Sequence, residues 1–279
     1  MLYNYPAVKG RETGMKRAKK NPEKTSRRRI GFLDELRGFA VACMILYHAF
    51  FLLSEVFKFP AGTWIFNYFM PAEPFIAGIF IVISGISSRL SHSNALRGAK
   101  LLAVALAITL VTAVVLPKAG LDGLGIYFGI LHFLSVSMLI FALIRPVLNH
   151  INPAWGIIIC IVLYILTANI GDGYLGIAPD FKLIVPAPLY KLPYLFPLGI
   201  YSSSFTSADY FPIFPKIFVF LTGTFFGVYV KAGKVPEWAY QNRVKFFSWC
   251  GKNALIIYVV HVPIIYGIIY IIQWAAAKF

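Results

Sequence analysis

The residues with the most chemical content lie in one uninterrupted stretch. Leu33-Asp34-Glu35-Leu36-Arg37-Gly38 runs directly into Phe39 and on to Tyr47 and His48, an apolar span with a cation near one end and an imidazole eleven residues later. Ionisable groups inside lipid are costly and mark function by default. In a helix, eleven residues at ~100° each make about three turns, so Arg37 and His48 share a face, roughly 16 Å apart along the axis. Asp34, three residues before Arg37, can pair with it. Gly38 leaves the neighbouring backbone amides open to a bulky anion. One end of the face suits a phosphate-rich ligand, and its middle holds a side chain fit to act as a general base near neutral pH. An interfacial ion pair and a cross-helix hydrogen bond are the purely structural alternatives for the same residues.

Further polar residues fall at or inside apolar segments. His132 and His261 stand at membrane depth, where three histidines either converge on one cavity or make separate helix contacts. Ser84, Gly85, Ser87 and Ser88 precede Arg89, which reads as close helix packing or as a polar path ending in a second arginine. Asp209 and Tyr210 precede an apolar run; a carboxylate beside aromatics suits a sugar hydroxyl and ring face, while an interface belt explains the aromatics alone. Glu73, between Pro71 and Pro74, is a weaker case of the same kind. Gly251-Lys252-Asn253 opens the last apolar run, where a lysine can meet phosphate. No spacing supports a metal site.

These residues must be positioned by helices in a membrane. Of 279 residues, 59% are hydrophobic and 13% charged, an integral-membrane composition. The long apolar runs lack the alternation of barrel strands, so the expected fold is an all-α polytopic membrane protein. Spans are predicted at 31–56, 73–90, 98–116, 124–144, 154–170, 212–230 and 252–274, seven in all, punctuated by proline and glycine. The segment 171–211 is the one long connection; it is apolar and proline-rich and is expected to fold back onto the membrane face.

Residues 1–29 carry ten Lys/Arg against two Glu, and the other 250 carry 16 against 9. The sequence therefore divides into a basic tail, 1–29, and a membrane domain, 30–279. The tail is read as retained, setting topology and touching anionic lipid rather than nucleic acid. With the N-terminus cytoplasmic, the inner connections hold nine basic residues and the outer ones five. The expected topology is thus N-terminus in, C-terminus out. Cys43, Cys160 and Cys250 are scattered and show neither a disulfide nor a metal pattern.

The block from Leu33 to Gly38 followed by Tyr47-His48 resembles the first helix of membrane acyltransferases, and its arginine–histidine spacing is that of the family-3 membrane acyltransferases. Phe128-Gly129-Ile130-Leu131-His132, Asp209 to Pro212 through Gly227, and Gly251 to Leu255 through Tyr258 and His261 are similar to the prokaryotic relatives of the heparan-α-glucosaminide N-acetyltransferase catalytic domain. The likeness spans about residues 29–270. It implies transfer of an acetyl or other short acyl group from cytoplasmic acetyl-CoA, the donor substrate, to a hydroxyl or amine of an extracytoplasmic glycan or other small acceptor in the cell envelope. Arg37 by its match would hold the CoA phosphates, with Asp34, Gly38, Arg89, Lys252 and Asn253 as further donor-side candidates. His48 would be catalytic, and Glu73, His132, Asp209, Tyr210 and His261 would face the acceptor. The larger animal enzyme has more helices and a luminal domain, so heparan sulfate itself is not implied. A transporter or channel whose histidines bind substrate or relay protons is the rival from another class, although no internal repeat or paired broken helices support it. A homo-oligomer stays open.

Overall fold

The computed structural model describes residues 29–276 apart from Asp122, together with Lys278. The basic tail, except Arg29, lies outside the described residues. In chain order the helices are α1 Gly31–Phe51, α2 Pro60–Phe69, α3 Glu73–Leu90, α4 Asn94–Leu110, the single turn α5 Leu116–Lys118, α6 Ile130–Leu148, α7 Pro153–Thr167, α8 Lys216–Lys231, α9 Lys245–Lys252 and α10 Ala254–Ala276. A turn of π-helix, Leu52–Val56, extends α1, so that the run Gly31–Val56 coincides with the first predicted span.

Six helical runs among the described residues are long and apolar enough to cross a membrane. The sixth predicted span, 212–230, is shorter than expected. It is α8, 16 residues with a lysine at each end, which rises only ~24 Å. Lys216 begins this helix because Pro215 precedes it and the stretch 212–215 is not helical. The span predicted at 124–144 is likewise shifted, to Ile130–Leu148, since Gly125 to Gly129 are not helical. The last long helix begins at Ala254, after a separate α9 that the sequence reading merged into a loop.

Glycines set the helix contacts. Gly85 of α3 abuts the carbonyl of Phe220, Gly223 of α8 abuts Val82, and Gly227 abuts Arg89. Gly223 lies beside Val82 and Gly227, one turn on, beside Ile86 and Arg89, so α3 and α8 run parallel. Backbones approach this closely only where no Cβ intervenes. Gly156 of α7 receives the ring of Phe225 in the same way. Phe133, Phe141, Phe220 and Phe225 are fully buried and fill the centre of the bundle.

The long connection holds a two-stranded antiparallel hairpin, β1 Tyr174–Ile177 and β2 Phe181–Ile184, then a cluster in which Phe205 packs on Phe196, Tyr201 and Tyr210. Its final residues turn inward. Ala208 N–H donates to the Gly125 carbonyl (3.0 Å) and Phe211 N–H to that of Phe128 (2.9 Å), with Phe128 and Tyr210 forming a parallel bridge. This zipper carries Asp209 to the start of α6.

Candidate functional site

A cavity of about 250 Å³ lies between α1, α3, the start of α6, the 208–211 segment and α10. Its polar lining comes from Tyr47 and His48 of α1, Glu73 of α3, Asp209, and Tyr258 of α10, with Ala40, Val41 and Met44 continuing it along α1 towards Arg37. The shared face of Arg37 and His48 read from the spacing is thus continuous with a cavity wall.

His48 is half-buried, and its Nδ1 lies 2.9 Å from the Met44 carbonyl. A carbonyl only accepts, so Nδ1 carries the hydrogen and Nε2 keeps the basic lone pair. His261 has the same arrangement, with Nδ1–H donating to the Tyr258 carbonyl at 2.6 Å. The two rings stand 4.9 Å apart between centroids and 80° between planes.

His132 is the opposite tautomer. Its Nδ1 accepts from Gly129 N–H (3.3 Å), so Nε2–H donates to Thr109 Oγ1 (3.0 Å), whose own proton goes to the Ile126 carbonyl (2.7 Å). Both nitrogens of His132 are occupied, and the side chain ties α4 to the first turn of α6. The three intramembrane histidines therefore divide. His48 and His261 meet, and His132 secures the helix start that Asp209 reaches.

Asp209 Oδ2 accepts from Ile130 N–H at 3.1 Å and from the Tyr258 hydroxyl at 3.0 Å. A carboxylate at a helix N-terminus satisfies amides left without intrahelical partners. Burial pushes the Asp209 carboxyl above the ordinary aspartate range, while His48, the two donors and Lys216 pull it back. A Cβ on Gly129 would strike the Asp209 carboxylate, so glycine there is what lets the acid reach α6. Tyr210 lines the cavity, but its hydroxyl is committed to the Phe196 carbonyl (2.6 Å). Glu73, Asp209 and Lys216 are close enough to act on one another electrostatically.

Sequence reasoning missed Lys216, Tyr258 as a site residue, and Glu35. A lysine inside a predicted span was the available sign for the first. Glu35 and Tyr258 stood inside the blocks that carry the family resemblance, which was their available sign.

At the opposite end, Asp34 joins Arg29 (2.6 Å) and Arg37 (3.3 Å), and Arg37 Nη2 donates to Ser87 Oγ at 2.6 Å. Arg97 is near enough to act on Arg37. Glu35 Oε1 accepts the backbone N–H groups of Arg243 and Val244 and so caps α9 from another helix. The opening expected beside Gly38 is filled. A Cβ there would collide with the Phe247 carbonyl, and one on Gly251 with that of Asp34. Gly38 is spent on the α1–α9 crossing rather than on an exposed amide.

Arg89 also lies away from the cavity. It donates to Asn149 Oδ1 (2.7 Å), and with Arg145 it flanks the Phe141 ring, each 5.9 Å from the centroid. Lys252 is exposed at the end of α9, and Asn253 Nδ2 donates to the Trp249 carbonyl (2.9 Å) in the turn before α10.

Long apolar helices enclosing a cavity lined by ionisable groups define a multi-pass membrane protein with an internal site. The chain belongs to the family described as heparan-alpha-glucosaminide N-acetyltransferase, catalytic, whose model matches residues 29–263 and so covers every residue of the site. Its general class is that of the transmembrane acetyltransferases. No curated protein and no solved structure matches the chain.

Proposed function

We propose that the protein transfers an acetyl group from acetyl-CoA, bound at the cytoplasmic Arg37 end, to a hydroxyl or amine of an extracytoplasmic acceptor that enters at the Glu73 end. The observation that carries this is His48: an imidazole with Nδ1–H committed to Met44 and Nε2 left as a base, on the wall of a cavity whose lining follows α1 from Ala40, one turn after Arg37.

His48 Nε2 takes the proton from the acceptor as its oxygen or nitrogen attacks the thioester carbonyl carbon. The tetrahedral adduct collapses, the C–S bond breaks, and the CoA thiolate leaves with the proton returned from His48. A thioester is already activated, so orientation and one base suffice. The cavity suits the acetyl and pantetheine portion, and the nucleotide would lie outside it, among Arg29, Arg37, Arg97 and Lys252. Arg37 has five N–H donors and spends two on Asp34 and Ser87, which leaves others for phosphate. Glu73, Asp209 and Tyr258 would meet the acceptor.

CoA should raise the thermal unfolding temperature of the protein in detergent or nanodiscs, and Arg37→Gln should abolish that rise. His48→Ala should keep the rise and lose transfer. A protein that CoA does not stabilise would instead support the transporter or channel reading. Labelled acetyl-CoA supplied without acceptor separates direct transfer from an acetyl-histidine relay, because only the relay leaves label on the protein.

A further inference from the structure

His261 Nε2 is buried and has no hydrogen-bond partner among the described residues. Its other nitrogen is fixed by the Tyr258 carbonyl, so Nε2 is an acceptor held in a dry setting with nothing to accept. Native proteins rarely leave such a group unused without a functional reason. The ring next to it is His48, at 4.9 Å between centroids. Two imidazoles joined by an N–H···N bond have centroids about 5 Å apart, from an N···N distance near 2.9 Å plus two ring radii.

In the resting state both rings carry hydrogen on Nδ1 and a lone pair on Nε2, so no bond joins them. One added proton changes that. A protonated His48 gains an Nε2–H that needs an acceptor in a low-dielectric cavity. Asp209 Oδ2 already receives two donors, and its Oδ1 is the acceptor that competes with His261 Nε2 for that hydrogen. The other charged or titratable groups around the rings are Tyr47, Glu73, Lys216 and Tyr258. Tyr258 donates its proton to Asp209, and Glu73 and Lys216 act on each other as opposite charges.

We propose that His261 is a positioning residue for proton handling: its Nε2 accepts an N–H···N hydrogen bond from the Nε2–H that His48 acquires, and the pair holds the acceptor's proton until the CoA thiolate takes it. This rests on the reading of His48 as the base. The balance is one proton, transferred from acceptor to His48, stabilised by His261, and delivered to sulfur. No electrons change hands.

The test has a readout that needs no transferase activity. In full-length protein labelled with ¹⁵N-histidine in nanodiscs, protonating His48 should produce an Nε2–Nε2 correlation between His48 and His261, absent in His48→Gln. Protonation of His48 without that correlation overturns the proposal. In single-turnover transfer, His261→Phe, which has no acceptor atom, should be slowed roughly 10–100-fold, as for loss of a general-base partner, with stabilisation by CoA unchanged. His261→Gln, whose amide oxygen can accept the bond, should recover part of the rate. Wild-type rate in His261→Phe sinks the proposal and leaves the base assignment to His48→Ala. Absence of transfer by the wild-type protein from any acyl donor sinks the acyltransfer reading, while the nitrogen correlation still decides the pair.

Discussion

The hydroxyl of Tyr258 donates to Oδ2 of Asp209 across 3.0 Å, joining α10 to a segment 49 residues earlier in the chain. The same oxygen receives the Ile130 amide. One carboxylate atom thereby fixes three separate parts of the bundle around the cavity.

Tyr258→Phe removes a donor to a buried carboxylate without changing shape. Hydrogen bonds to charged groups contribute about 1.5–3 kcal/mol, and a loss of that size should appear in denaturant or thermal unfolding. A neutral result would mean that the tyrosine does not hold the acid.

Gly129→Ala should displace Asp209, because the added methyl meets its carboxylate. A strain of about 1–3 kcal/mol is expected from overpacking. In an Asp209→Ala background the same substitution should cost much less, and the non-additivity of the two in a double-mutant cycle is the measurement.

Gly38→Ala should push α9 off α1, since the Phe247 carbonyl occupies the space. Cys250 reports on this directly. It is free and 5% exposed on the face of α9 that is packed away. Its alkylation should accelerate in Gly38→Ala and stay slow in the wild-type protein.

Glu35→Ala removes the acceptor that caps α9 and should destabilise by about 1 kcal/mol, the usual cost of a lost helix cap. Glu35→Gln keeps the oxygen and should cost less. The two variants compared by thermal unfolding separate the hydrogen bonds from the charge.

His132→Gln should lower stability while retaining transfer per folded molecule, because both ring nitrogens bond within the protein. His48→Ala should do the reverse. Specific activity, measured alongside the folded fraction, distinguishes a supporting histidine from the base.

The membrane-spanning character of the chain and the approximate run of the long helices were legible from apolar length alone, which depends only on local composition. So was the pairing of Asp34 with Arg37, and the common face of Arg37 and His48, because helix periodicity fixes both. The start of α6 was not legible. Gly125 to Gly129 read as apolar helix until they pair with residues 208–211, some 80 positions later. The role of Gly38 was misread for a similar reason: whether a missing side chain admits a ligand or a neighbouring backbone depends on what packs there, and α9 does. The sequence placed three histidines at membrane depth, marked His48 by its spacing from Arg37, and left His132 and His261 with the same acceptor-facing role. Only the tertiary structure separated them, because the tautomer of each ring, and hence which nitrogen is free, is set by partners on other turns and other helices.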